Sequence, residues 1–316
     1  MKTNILALLF ILFFQYVSFG QFTSKKELRT VANEMIDLIK NQSLVRDSID
    51  WAQFKGQINL EINSIQNIDS VDFIIDTIIN KLRQCGDHHS FYYSKSITKK
   101  SGIKNETIPL PTSKLVNNNI GYLSLPTHFT QNKEFNYLYA DTLRKQIQFL
   151  DENNEVIGWV IDLRENRGGN MWPMIAGLNP LIKDNTVGYF VHSRYKTKWK
   201  SASKKPQYLQ EMNNTYKCKN LRNNIAVLID TLTASSGEMT AISFLGMKNT
   251  KSFGNETAGY TTANSTHKLS NGAYLFLASS YCMDRNKKVY RGKIQPEIKV
   301  ANSVTLNEAI KWIKNH

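Results

Sequence analysis

Only three cysteines occur in the chain, Cys85, Cys218 and Cys282, too few and too scattered for a disulfide framework. None stands at metal-ligand spacing to a second Cys or His, so the sequence offers no cysteine-based metal centre. Cys85 lies close to His88 and His89, which leaves a thiol nucleophile open beside the plainer reading of a small buried hydrophobe. No G-x-G-x-x-G occurs, so the dinucleotide fingerprint is missing. Internal repeats, low-complexity tracts and recognised nucleic-acid-binding modules are missing too. Acids are in short supply: 26 Asp plus Glu face 40 Lys plus Arg, a formal charge of +14. Positive charge is densest in SRYKTKWKSASKKPQ (193–207) and SKSITKKSGIK (94–104). With no nucleic-acid module around it, this charge reads as a solvated basic face or an attraction to anionic cell-surface polymers.

Long apolar runs are confined to the start. In MKTNILALLFILFFQYVSFGQ, Lys2 supplies a positive n-region, Ile5 to Phe14 an apolar h-region, and Ser18 and Gly20 the small residues of a cleavage site. The run is too short for a membrane span, and no Cys follows it to carry a lipid. The expectation is a signal peptide over residues 1–20, a mature chain from Gln21, and an exported protein, periplasmic or extracellular, without stable membrane insertion.

The composition is that of an ordinary globular protein, 41% hydrophobic and 21% charged. Ser24 and Glu27 fit a capping box ahead of Leu28, Val31, Met35, Leu38 and Ile39, which recur at helical spacing. A second amphipathic pattern runs from Val71 to Leu82 and stops at Gly86. Residues 21–86 therefore read as a small helical subdomain. From 87 to 316 strands and helices alternate: IGYLSLP (120–126), a helix over 134–150, the nearly continuous VIGWVIDLR (156–164), a helix within 170–182, VGYFVHS, IAVLID, and a hairpin at Asn271-Gly272. Thr305 and Glu308 suggest a further capping box opening a terminal helix. This alternation predicts an α/β core.

Four short pieces at strand ends or turns carry chemistry: Asp87-His88-His89-Ser90, DLRENRGGN (162–170), TASSGE (233–238) and YRGKIQPEI (290–298). The hydroxyls of TASSGE fit helix capping, or a serine nucleophile at a helix start whose free N–H groups stabilise an oxyanion. Adjacent glycines in DLRENRGGN allow close backbone approach and outward-pointing N–H groups; an ordinary strand-to-helix turn is the plain alternative. A serine nucleophile needs a base, and His89 is the candidate, though a structural histidine would occupy the same turn.

The order D-x-H-[ST], GYLSLP, D-L-R-x-N-x-G-G, T-A-S-S-G-E, G-x-x-T-A-G and P-[DE]-I resembles the tail-specific, or C-terminal processing, serine peptidases over roughly residues 70 to 300. The resemblance implies a crotonase-like ββα-type α/β core, Ser235 as nucleophile, and an oxyanion hole from the backbone N–H of Ser236 with that of Gly168 or Gly169. It implies a peptide or protein substrate, and no cofactor, metal or nucleic acid. Tyr260 stands where one branch has a lysine base, so the chain is more similar to the branch typified by the tricorn protease core, with His89 as base. That branch also has a tetrad glutamate, whose nearest position here holds Arg291, while Glu297 matches a structural acid. Only 26 residues separate Tyr93 from Ile120, too few for the PDZ domain of many relatives (~50 or more). The competing expectation is a member of the same fold that binds peptides or apolar ligands without cleaving them. A basic surface-adhesion protein, in which every motif is structural, is the third.

Overall fold

The computed structural model describes residues 22, 24–66, 72–94, 109–130, 132–183 and 185–316. The expected signal peptide, the start of the second amphipathic pattern at Val71 and most of the basic stretch 94–104 lie outside them. The chain forms two compact units, one of residues 1–105 and 264–279, the other of 106–263 and 280–316.

The first unit is helical. Helix α1 (Lys25–Gln42) is capped by the Ser24 side chain, which accepts the Glu27 N–H at 3.2 Å. Helices α2 (Trp51–Ser64) and α3 (Asp72–Gln84) follow; Asp50 caps α2 by accepting the Gln53 N–H. The stripes Leu28, Val31, Met35, Ile39 and Ile74, Ile78, Leu82 recur every three or four residues and are buried together. Gly86, at φ 95, ends the last helix. Strand β1 (Phe91–Tyr93) comes next and pairs antiparallel with β10 (Tyr274–Asp284); β9 (Thr262–Lys268) also pairs with β10. The Asn271-Gly272 turn joins β9 to β10, with Gly272 at φ 83.

The second unit holds a six-stranded sheet. Its strands are β2 (Thr112–Val116), β3 (Ile120–Ser124), β4 (Gly158–Asp162), β7 (Asn224–Ile229), β8 (Thr250–Gly254) and β12 (Ile298–Lys299). They lie in the order β12-β8-β7-β4-β3-β2. All neighbours are parallel except β2 and β3. All five residues of β4 are buried, as a central strand covered on both faces requires. One face presents Ile120, Val160, Ala226 and Leu228 to Ala309, Ile310 and Ile313 of α7 (Thr305–Asn315). The other presents Leu123, Trp159, Ile161 and Val227 to α4 (Lys133–Asn153), α5 (Met171–Gly177) and α6 (Ser236–Phe244). The helix expected within 170–182 is broken in two, α5 and a 3-10 turn at Asn179–Leu181. Thr305 is not a cap: it is the first residue of α7, after Val304, and its hydroxyl donates back to the Ala301 carbonyl.

A second, antiparallel array contains β5 (Thr186–Val191), β6 (Lys196–Lys200), residues 281–284 of β10 and β11 (Val289–Tyr290). Between β6 and β7 runs a long irregular connection, residues 201–223, pinned by Arg144 of α4. This side chain is fully buried and donates to the carbonyls of Ala176 (2.8 Å), Ser203 (2.6 Å), Ala202 (3.5 Å) and Asn214. Burial pulls its pKa down to about 10, so it stays charged at neutral pH. The three cysteines are free thiols, and the Cys85 Sγ faces the Ser48 carbonyl at 3.8 Å.

Gly121 lies beside Trp159 in the register of β3 and β4, and a Cβ there would overlap the buried indole. Gly121→Ala should therefore cost about 1–3 kcal/mol by overpacking, read as a lower denaturation midpoint at unchanged m-value.

Candidate active site

Strand β7 delivers the chain to Asp230, whose carboxylate Oδ1 accepts the N–H groups of Leu232 (3.0 Å), Thr233 (3.0 Å) and Glu165 (3.1 Å). The buried Thr233 hydroxyl donates to the Leu163 carbonyl at 2.9 Å, tying this turn to the end of β4. Ser235 then sits at the N-cap of α6 with φ 50 and ψ −116, a backbone conformation rarely adopted by a residue with a side chain. Such strain persists only where the surroundings over-determine it. Here the buried Glu238 reaches back, and its Oε2 accepts the Ser235 N–H at 2.8 Å. Its Oε1 accepts from the Thr257 hydroxyl and from the Gly259 N–H at 2.9 Å. The capping expected of this turn is thus present, with Glu238 closing on the Ser235 N–H.

The glycine pair closes against this turn. Gly168 and Gly169 have φ of 103 and 110. A Cβ on Gly168 would stand 2.9 Å from the Ser235 Cβ and 3.1 Å from the Ser236 N, and one on Gly169 would collide with the His128 carbonyl. The His128 N–H donates to the Gly168 carbonyl (3.1 Å), the Asn170 N–H to the His128 carbonyl (2.8 Å), and the Ser236 hydroxyl to the Gly169 carbonyl (2.7 Å). The Gly168 N–H is occupied by the Asn166 Oδ1 at 2.9 Å. The N–H groups of Gly169 and Ser236 have no acceptor among the described residues. Of the two glycines, Gly169 therefore has the available donor.

His89 belongs to the first unit and is partly buried. Its turn is built on Asp87, whose Oδ1 accepts the N–H groups of His89 and Ser90, both at 3.0 Å, and whose Oδ2 accepts the Ser90 hydroxyl at 2.5 Å. The Asn264 amide donates to the His89 carbonyl at 2.9 Å. Asp87 is thus engaged with backbone and Ser90. Glu297 is engaged elsewhere, accepting the Ser252 N–H at 3.0 Å. Arg291 is exposed, its guanidinium 4.4 Å from the centroid of the Tyr281 ring. Among the described residues no group of three or more His, Cys, Asp and Glu could hold a metal ion.

Sequence reasoning misses two supports. Asn166 holds the Gly168 N–H with its Oδ1, while its Nδ2 donates to the Leu125 carbonyl at 2.9 Å; the N-x-G-G spacing is the available signal. Thr257 serves Glu238 from 19 residues away, with no local signal. Glu238 is also electrostatically unusual: burial raises its pKa to about 7, against the lowering pull of the Thr257, Gly259, Ser235 and Tyr260 donors. Because the folded value lies above the ordinary 4.5, Glu238 contributes most to stability below 4.5, and that contribution is lost as pH rises through about 7. Denaturant titrations of wild type and Glu238→Gln, spanning both values, should show the wild type losing stability relative to the variant in that window and levelling above it.

Residues 119–300 match the model of peptidase family S41. The nisin-resistance protein of Lactococcus lactis subsp. lactis is 33% identical over 303 residues, 92% of this chain and 87% of the relative. The solved structure of a lipoprotein from Streptococcus agalactiae superposes with a TM-score of 0.77 at 25% identity, covering 95% of this chain and 99% of that one. The photosystem II D1 C-terminal processing protease shares the fold, with a TM-score of 0.58 at 12% identity over 90% of this chain and 95% of that one. With its α/β core and its matched span, the chain belongs to peptidase family S41.

Proposed function

We propose that the protein is an exported serine peptidase in which Ser235 attacks the scissile carbonyl and His89 takes its proton. The observation that carries this reading is the strained Ser235 at the start of α6, beside two uncommitted N–H groups, those of Ser236 and Gly169. A hydroxyl on such a turn meets a carbonyl whose developing oxyanion faces those donors, a contribution of about 3 kcal/mol each. Deprotonated by His89, Ser235 Oγ adds to the carbonyl; His89 then protonates the leaving amine, and water hydrolyses the acyl-enzyme by the same route in reverse. Asp87 and Glu297 already serve other groups, so neither is assigned to orient His89. A lipoprotein and a nisin-resistance protein among the relatives support a location at or outside the cell surface and make nisin a substrate to try.

The test is a mixed peptide library, with nisin added, incubated with the protein and read by mass spectrometry. Ser235→Ala and His89→Ala should each lower kcat/KM by about four orders of magnitude or more, with melting temperature little changed. Cleavage that survives Ser235→Ala would overturn the nucleophile. Saturable peptide binding without turnover by the wild type would instead support a binding member of the family.

A further inference from the structure

The antiparallel array of the second unit has one face of uniform charge when its register is followed. Lys198 pairs with Tyr189, and Tyr189 with Met283; Lys196 pairs with Val191, and Val191 with Tyr281. Paired residues point to the same side of a sheet, so Lys196, Lys198, Tyr189 and Tyr281 share a face, and Lys200 joins them two residues along β6. The three lysines are exposed, while Trp199 between them is buried on the opposite side. Two more cations lie on this face. The Lys287 ammonium sits 3.5 Å from the Tyr189 ring centroid and the Arg291 guanidinium 4.4 Å from that of Tyr281. None of the five has a carboxylate partner among the described residues. Asp284, the acid nearest in sequence, points to the other face, where it is buried and accepts the Tyr290 hydroxyl.

Alternating lysines also protect an edge strand from pairing, and β6 ends its array. Lys287 and Arg291 come from outside that edge, so edge protection does not account for them. The face also leads to the candidate site. Gly292, next to Arg291, donates its N–H to the Thr261 Oγ1 at 2.9 Å and receives that hydroxyl on its carbonyl at 2.8 Å. Two residues before Thr261, Gly259 donates to Glu238, which holds Ser235.

We infer that this face binds an acidic polypeptide, and that the peptidase selects substrates carrying Asp and Glu beyond the scissile bond; the second clause rests on the function proposed above. Lysines at alternate strand positions repeat every ~6.7 Å, the repeat of alternate side chains in an extended peptide. Lipid headgroups have no such register. The aromatic rings beneath Lys287 and Arg291 restrict both cations before a ligand arrives.

The experiment uses a labelled glutamate-rich peptide, its glutamine counterpart and its lysine counterpart, with Ser235→Ala for binding and the wild type for turnover. The glutamate peptide should bind about tenfold tighter than the glutamine one at low ionic strength, with the advantage lost in high salt. A variant with Lys196, Lys198 and Lys200 all changed to Glu should lose that advantage yet cleave the glutamine peptide at the wild-type rate, which also shows that it folds. Equal affinity for the glutamate and glutamine peptides overturns the inference. So does preferential binding to phosphatidylglycerol vesicles over the glutamate peptide. A glutamate preference in Ser235→Ala without cleavage by the wild type would sink the peptidase reading and keep the surface; cleavage of all three peptides alike would do the reverse.

Discussion

Everything at the candidate site depends on two backbones coming closer than side chains permit. The loop after β4 lies against the turn after β7, and a single methyl at Gly168 would press on Ser235 and Ser236. Parallel neighbours β4 and β7 end side by side, so the loops leaving them must share one small volume. Glycine is the residue that lets them do so, and the left-handed φ of both glycines turns their carbonyls towards partners in His128 and Ser236. The site is a consequence of where two strands stop.

A second constraint is the uneven distribution of charge at that place. Backbone and hydroxyl donors, rather than a cation, hold the buried Glu238, so its charge is met by dipoles. Dipoles compensate burial incompletely, which is why its affinity for a proton rises. The same carboxylate fixes Ser235 and Gly259, so the turn carrying the hydroxyl and the turn that faces it share one anchor.

Much of this is legible in the residues. Period-3.6 stripes place α1 and α3, and the unbroken apolar run of β4 announces a strand covered on both faces. The turns are legible as motifs because glycine pairs and clustered hydroxyls are rare in one place without a geometric reason. What is not legible depends on distance along the chain or on fine position within it. Thr305 resembles a cap because spacing alone cannot tell a first helical residue from the one before it. Helix α2 gives a weak signal, its apolar stripe of Phe54, Ile58 and Ile62 being narrow. The cationic face is legible only in part: Lys196, Lys198 and Lys200 stand out in the basic stretch 193–207, whereas Lys287 and Arg291 join them only once β6, β5 and β10 are in register.

Arg144 has a consequence for the life of such a protein. A connection of more than twenty residues with no regular structure, 201–223, is where a chain is ordinarily nicked. Here its carbonyls at 202, 203 and 214 solvate a buried cation. Lifting the loop would break these hydrogen bonds to a charged donor together, so local opening costs more here than in an unpinned connection. A segment tied down at three carbonyls is a poorer target for nicking than its length and lack of regular structure suggest.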